Sequence, residues 1–496
     1  MAPVISKSDY LLYRECPHNA WYKIHKPDLY YESGLSDFER AIIETGNDVE
    51  LVARELFPDG MLIEGRGNAA QQLTRQYMRN GGLTLFQPVF KNRQFIAAVD
   101  VLGCDPGEKR YFLYEIKATN SIDERVHYHD LAFQANLIQS LGYDLAAIRL
   151  IHLNPEYRRD GDLDVQKLFR VEDVTTMVTE LLGKVAHEMQ DASRFLSVQT
   201  APAGPCCCIY KGRSNHCATF RHSNPKVPEY GIHDIARIGA GKAKLRELVD
   251  RNVFELKDIP DHIKLSDVQS NQVEAHVFDH TLIQKDPIAR ELAGLAFPIY
   301  FLDYETYPCA VPRFTGFSPY QQIPFQYSLY VLDGEGSDLR HYEFLCTDTL
   351  DPSRTFVESL QNNIGDNGSI LVWNKSFECK INSELGERLP DKSVFLDSVN
   401  ARIYDLMDIF KKQLYVHKGF RGKTSIKAVL PVLVPELSYG DLDIREGGTA
   451  SQKWNELVSG SISPEQQNAI ADNLKKYCGM DTYAMYAIWK HLRELN

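Results

Sequence analysis

Residues 297–308 read FPIYFLDYETYP, an apolar run interrupted by two carboxylates, Asp303 and Glu305, placed two positions apart. Side chains alternate along a strand, so both carboxylates share one face and Tyr304 turns to the other. A segment this apolar reads as a buried strand. The stretches after it keep an ordered pattern. IPFQYSLYVL (323–332) and LRHYEFLC (339–346) read as strands, RTFVESLQNNIG as a helix, SILVWN (369–374) as a strand and SFECKINSELG as the start of a helix. Three strands, helix, strand, helix is an α/β order.

That half does not account for the chain, whose 496 residues exceed what one core organises. Three regions are expected: a domain over 1–224, a small helical linker over 225–295 and a domain over 296–496. Composition, 44% hydrophobic and 25% charged, is that of an ordinary folded chain. No apolar run reaches the length of a bilayer crossing. The N-terminus meets Lys, Tyr, Arg and Glu too early for a secretory signal, so the expected location is the cytoplasm, away from membranes. A net charge of −12 argues against a tight non-specific hold on long duplex nucleic acid. It leaves room for acidic metal centres whose cations bring positive charge to the spot.

In the first region, residues 37–57 place Phe38, Ile42, Val49, Val52, Ala53 and Leu56 at helical intervals, ended by Pro58-Asp-Gly60. Strands are expected at 83–90, 94–104 and 109–119, with Cys104-Asp-Pro-Gly-Glu108 as a hairpin turn. A helix over 129–142 and a strand over 145–153 complete an α/β layout. Asp100 ends an apolar run, and Glu115 and Lys117 share one face of the next strand. An Asp and a Glu from adjacent strands can hold Mg²⁺ or Mn²⁺ through oxygen, and a Lys beside them can orient or deprotonate a water. Asp…Glu-x-Lys resembles the PD-(D/E)XK nucleases. Gln134 on the following helix resembles the RecB-type Gln-x-x-x-Tyr motif, with Ile138 where that family has Tyr. Glu50 is a third acidic candidate or an ordinary exposed helical Glu.

Ten cysteines in such a chain do not predict a disulfide framework. Cys206, Cys207, Cys208 and Cys217 crowd together and Cys16 stands near the start, whereas Cys104, Cys309, Cys346, Cys379 and Cys478 read as buried bystanders. Four thiolates suit a [4Fe–4S] cluster. SKSDYLLYRECPHNAW and GPCCCIYKGRSNHC are similar to the two halves of the iron–sulfur RecB-like nucleases, a group that includes the CRISPR-associated RecB-type enzyme. The resemblance implies a structural cluster tying the chain ends. Strand neighbours point oppositely, so Cys206, Cys207 and Cys208 are not all expected on one cluster. The expected ligands are Cys16, Cys207 and Cys217 with Cys206 or Cys208 as the fourth. Zn²⁺ on the same thiolates, with His216, is the alternative.

Residues around Ile238-Gly-Ala-Gly241 resemble a degenerate helix-hairpin-helix, a phosphate-contacting element. A spacer packing the two domains is the plainer reading. Farther on, Asn374-Lys-Ser-Phe377-Glu378 and Tyr477-Cys-Gly-Met-Asp481 follow Asp303 and Glu305 in order. Tyr477 and Asp481 fall one helical turn apart, hence on one face. The set resembles the DnaQ-like exonucleases of RNase H-like fold, with Glu378 where an Asp is usual. It implies two cations on Asp303, Glu305, Glu378 and Asp481, with Tyr477 orienting water. Asp405 is a supporting carboxylate or a capping residue. This half also resembles a bacterial domain of unassigned function found behind RecB-like nuclease domains, through PYQQIPFQYSLYV, SILVWNKSFE, SIKAVLPVLVPELSYGDLDI and YCGMDTYAM.

The expectation is therefore a restriction-endonuclease-like domain and an RNase H-like domain, cleaving DNA, single-stranded or from ends, at two metal centres. An RNase on the same folds is one rival; a nucleic-acid-binding or scaffolding subunit with one or both centres inert is the other.

Overall fold

The structure is a computed structural model of the chain. It describes every residue except 1, 33, 35, 36, 81, 82, 106–109, 242, 441 and 496, and the side chains of 37, 38 and 80. The architecture is mixed α/β, with parallel and antiparallel pairing in several sheets. The chain divides into two compact units. Unit one holds Met1–Ile209, Asn215–Pro225 and Cys309–Gln321; unit two holds Tyr210–Ser214, Lys226–Pro308 and Gln322–Asn496. The segment read as a linker is part of unit two from Lys226 onward.

Unit one begins with β1 (Ile5–Ser6), α1 (Lys7–Glu15) and α2 (Pro17–His25). Ser6 caps α1: its hydroxyl accepts the Asp9 N–H while the Asp9 carboxylate accepts the Ser6 N–H, both at 3.1 Å. The helix expected over 37–57 is α3 (Asp37–Ala53), followed by a 3₁₀ turn at Arg54–Leu56. Val49 and Ala53 are buried but Ile42 is exposed, and the side chain of Phe38 lies outside the described residues. Next come β2 (Met61–Leu62), α4 (Asn68–Asn80), β3 (Leu85–Phe86), β4 (Val89–Lys91), β5 (Phe95–Ala98), β6 (Val101–Cys104) and β7 (Tyr111–Lys117). The unit continues with α5 (Glu124–Ser140), β8 (Leu145–Leu153), β9 (Phe169–Asp173) and α6 (Thr175–Leu196). One sheet has the order β2-β3-β6-β7-β8-β9 and a second the order β1-β5-β4.

The stretches 83–90 and 94–104 were each expected as one strand, and each is two. Gln87 adopts φ 54 and Pro88 has no N–H to donate, so neither strand can run straight through. The Gln87 N–H bonds the Asp100 carbonyl at 3.1 Å and the Val99 N–H bonds the Pro88 carbonyl at 3.0 Å. On one side of this corner β4 pairs with β5, and on the other β3 pairs with β6. Asp100 therefore sits at a bend between two sheets. Most of the turn expected after Cys104 lies outside the described residues.

In unit two, the stretch around Gly239 contains a 3₁₀ turn at Ile232–Asp234 and one α-helix, α7 (Ala243–Asp250), where two helices were expected. The backbone N–H of Ala236 is taken by Gln272 Oε1 at 2.8 Å, which spends that donor inside the protein. Then come α8 (Asp267–Val277), β10 (Leu282–Ile283), α9 (Lys285–Ala293), β11 (Ile299–Pro308), β12 (Gln322–Leu332) and β13 (Leu339–Leu345). The chain goes on through α10 (Ser353–Asn363), β14 (Ser369–Val372), α11 (Lys375–Arg388), α12 (Ser393–Ala401), β15 (Ile403–Asp405) and β16 (Tyr415–Val416). It ends with α13 (Ile426–Leu433), α14 (Gly447–Leu457) and α15 (Pro464–Arg493). The main sheet has the order β13-β12-β11-β14-β15, antiparallel on the β12 side of β11 and parallel on the β14 side.

Alternation along β11 divides the core. Ile299 and Phe301 pack with Ile488 and Trp489 of α15, whereas Tyr300, Leu302 and Tyr304 pack with Phe356 of α10 and Ile381 of α11. Asp303 and Glu305 continue the α15 face. Among the described residues no helix is long and apolar enough to cross a membrane.

Trp454 of α14 is fully buried, stacks on Phe325 of β12 at 4.7 Å and donates its Nε1–H to the Cys346 carbonyl at 2.9 Å. Trp454→Ala is expected to destabilise unit two by about 3–5 kcal/mol, read from its urea unfolding transition.

Candidate active sites and a candidate metal centre

In unit one, β7 aims Glu115 and Lys117 at the face where α5 presents Asp130 and Gln134, one helical turn apart. Glu115 Oε1 accepts from Lys117 at 2.6 Å and from Lys7 at 2.7 Å, and its Oε2 accepts from Gln134 at 2.7 Å. Asp130 accepts from Lys117 at 2.6 Å and from Gln134 at 2.9 Å. Asp100 Oδ2 accepts the Ile116 N–H at 2.8 Å. Glu50 joins more loosely: its Oε1 accepts from Gln87 at 2.6 Å and from Arg54 at 2.7 Å, and the same Gln87 amide lies 3.4 Å from Asp100 Oδ1. Ile138, one turn beyond Gln134, is core. Sequence reasoning missed Lys7, Gln87 and Asp130; the i, i+4 relation of Asp130 to Gln134 was the one available signal.

Burial and the Glu115 charge raise Asp100 to about 7 against the pull of Lys7 and Lys117. Burial also acts upward on Glu115, but Lys117 and Lys7 overcome it and hold Glu115 below the usual carboxylate range. Burial pulls Lys117 down, and Glu115 and Asp130 more than reverse it. Lys117 in this arrangement is an ammonium bonded to both Glu115 and Asp130.

In unit two, Asp303 and Glu305 of β11 meet Cys478 of α15, with one ligand atom from each within 4.8 Å of the others. Cys478, read as a bystander, lies with its Sγ 3.9 Å from Asp303 Oδ2. Asp481, one turn before Met485 on the buried face of α15, accepts from the Tyr439 hydroxyl at 2.5 Å. Tyr477 accepts from Lys427 of α13 at 3.1 Å, and the same ammonium lies 5.1 Å and 5.6 Å from the Tyr477 and Tyr439 ring centres. Glu378 enters from the first turn of α11 and is buried, and its Oε2 has no hydrogen-bond partner. Asn374 precedes that helix, exposed, its side chain accepting from the Ser376 hydroxyl at 2.8 Å. Asp405 is occupied locally, by the Met407 N–H and by Lys411, both at 3.1 Å. Lys427 and Tyr439 carried no sequence signal.

Burial raises Asp303, Glu305 and Asp481, and the charge of Asp481 lifts the first two further; Lys427 opposes the rise in all three. Burial, helped by the Asp405 charge, lifts Glu378 to about 8. Carboxyls at this density keep their protons unless a cation among them stabilises the ionised form. Oxygen donors with a buried, unpartnered Glu378 oxygen fit Mg²⁺ or Mn²⁺.

A third group comes from cysteines. Cys16, at the corner between α1 and α2, meets Cys206, Cys208 and Cys217, with all four sulfurs within 4.8 Å of one another. Cys16 and Cys206 lie 3.8 and 3.9 Å from Cys217, and Asn224 donates to Cys206 Sγ at 3.2 Å. This group could bind a metal. Cys207, expected as a ligand, is exposed and lies 3.4 Å from the Glu15 carbonyl. Residues 206 and 208 flank the start of a 3₁₀ helix (Cys207–Tyr210), where both can turn one way and the residue between them turns out. His216 stacks on Phe220 at 3.4 Å.

A family described as a domain of unknown function (DUF2779) matches residues 300–425. The match takes in Asp303, Glu305, Asn374, Glu378 and Asp405 and ends before Lys427. The chain is similar to an uncharacterised protein of Mycoplasma genitalium, MG366, 29% identical over 215 residues that make 40% of this chain and 32% of that protein. It is also similar to the MG366 homolog of Mycoplasma pneumoniae, 30% identical over 216 residues, 38% of this chain and 31% of that protein. The chain spans only these shares, 32% and 31%, of the relatives it matches.

Two outcomes follow from these geometries. Cys208→Ser is expected to lose the metal of the thiol group and Cys207→Ser to keep it, checked by elemental analysis of purified variants. Asp100 also sets a pH dependence. Between its ordinary value of 3.8 and about 7, the unfolded chain has lost a proton that the folded chain keeps, so raising pH through this window lowers stability. In EDTA, the melting temperature of Asp100→Asn should rise relative to wild type from pH 4 to 7 and hold a constant gap above that.

Proposed function

We propose that the chain is a two-centre, metal-dependent nuclease acting on DNA, with a RecB-like PD-(D/E)XK centre in unit one and a DnaQ-like exonuclease centre in unit two. The observation that carries the reading is the convergence of half-buried Asp303 with buried Glu305, Glu378 and Asp481 beside Tyr477. The strand order of the unit-two sheet, three antiparallel strands followed by two parallel ones, supports an RNase H-like fold. In unit one the support is the bend at Asp100, the Glu115-x-Lys117 strand and Gln134 on the next helix.

Asp303, Glu305, Glu378 and Asp481 would hold the cations of unit two. Bound Mg²⁺ or Mn²⁺ supplies a water of lowered pKa and positive charge for the phosphate oxygens. The chain's own groups do the positioning. Tyr439 and Tyr477 keep their protons, because burial and Asp481 raise both, and each remains a donor toward the carboxylate site. Lys427 anchors Tyr477 and tempers the negative charge around Asp481. In unit one Lys117 stays cationic and is suited to face a phosphate.

For the cysteine group the spacing supports Zn²⁺ over the [4Fe–4S] cluster. A tetrahedral ion with bonds of about 2.3 Å sets its sulfurs roughly 3.8 Å apart. In a cubane each thiolate sits on a different iron, which spreads the sulfurs further.

The test uses 5′- and 3′-labelled single- and double-stranded DNA and RNA, with Mn²⁺ or EDTA, on anaerobically purified protein. Mn²⁺-dependent shortening from the 3′ end that falls about 100-fold or more in Asp303→Ala is expected. Asp100→Ala should remove a separate cleavage activity. RNA cleaved in place of DNA would select the RNase reading. No cleavage by fully metallated protein, with binding intact, would select the scaffolding one.

A further inference from the structure

The two carboxylate centres balance their charge differently. In unit two, Asp303, Glu305 and Asp481 share the positive charge of Lys427. In unit one, Glu115 and Asp130 contact two ammonium groups, Lys7 and Lys117, which occupy carboxylate oxygens that a divalent ion would use. Lys7 and Lys117 both bond Glu115 Oε1, Gln134 takes Oε2, and Lys7 lies 3.5 Å from Asp130 Oδ1. Both oxygens of Glu115 are engaged. The Lys7 side chain keeps 23% of its surface accessible, whereas Glu115 and Asp130 keep 2% and 1%. Lys7 can thus withdraw to water while the carboxylates stay in place.

We propose that Lys7 is an internal counter-ion that competes with the divalent cation for the unit-one centre, so that the metal enters only as Lys7 leaves. This inference rests on the nuclease reading of that centre. The placement of Lys7 is built in at both ends of α1. Ahead of it, Ser6 is fixed by pairing with Ile96 of β5 and by its capping bonds. Behind it, the helix runs about 14 Å to Cys16, a member of the thiol group. Metal on the thiols holds the far end of the helix whose first residue guards the carboxylates.

Mn²⁺ binding to the full chain, followed by the electron paramagnetic resonance of free Mn²⁺, tests the idea. Asp303→Asn and Asp481→Asn are introduced together to silence unit two. On this background Lys7→Gln should bind Mn²⁺ on the order of tenfold more tightly or better, because no ammonium has to be displaced from Glu115. Lys7→Arg should stay weak like the parent, and adding Glu115→Gln to Lys7→Gln should abolish the gain. Equal or weaker affinity in a Lys7→Gln chain with its thiol-bound metal intact would overturn the competition alone. No Mn²⁺ bound by either form would overturn the nuclease reading of unit one, and the competition with it.

Discussion

Carboxylates buried together repel one another and lose their hydration, and everything at both centres is arranged around that problem. Burial is the largest influence on Asp100, Glu115, Asp303, Glu305, Glu378 and Asp481 alike. What differs is the answer. Glu115 is kept ionised by two ammonium groups at hydrogen-bond distance, at the expense of its neighbour Asp100, which holds its proton to about pH 7. The carboxylates of unit two have hydroxyls and one lysine, which soften their repulsion without cancelling it. That residual repulsion is what a cation among them would relieve.

Much of this was legible because burial and alternation write themselves into a strand. FPIYFLDYETYP shows Asp303 and Glu305 on the face opposite Tyr304, and the Tyr304 hydroxyl indeed reaches Asn382 of α11 at 3.0 Å on the other side of the sheet. The strand at 145–153 and the helix around Gln134 carry equally plain patterns. The bend at Gln87-Pro88 was not legible. Apolar alternation runs straight across 83–90 and 94–104, and only the proline hints that hydrogen bonding changes partner there. A corner made by one positive φ leaves no periodic trace.

Residues that act from outside a motif were hidden for a different reason. Lys7, Tyr439 and Lys427 come from distant chain segments, and their relation to Glu115 or Asp481 exists only after the sheets form. Cys207 illustrates the opposite error. The rule that neighbours point oppositely puts Cys206 and Cys208 on one side and Cys207 on the other, as the structure has them, whereas the expectation paired Cys207 with one of its own neighbours. Cys478 was dismissed on composition, although its place one residue after Tyr477 puts it on the same buried side of α15.

That helix carries the last constraint. α15 must deliver Tyr477, Cys478 and Asp481 to β11 within a fraction of a turn, and a 30-residue helix could slide or roll along the sheet. Apolar packing of Ile488 and Trp489 against Phe301 sets its depth but is tolerant of small shifts. Polar bonds are not. Ser328 is the registered partner of Asp303 on β12, and its hydroxyl meets Thr482 at 2.5 Å, while Gln326, the partner of Glu305, donates to the Leu474 carbonyl at 3.0 Å. Each carboxylate on β11 thus has, on the adjacent strand, a residue that grips α15. The grip points fall on either side of Tyr477 and Cys478, so the spacing of Asp303 and Glu305 along the strand is transferred to the helix that faces them. The precision of the site comes from strand register, with the hydrophobic core supplying the force that keeps the two in contact.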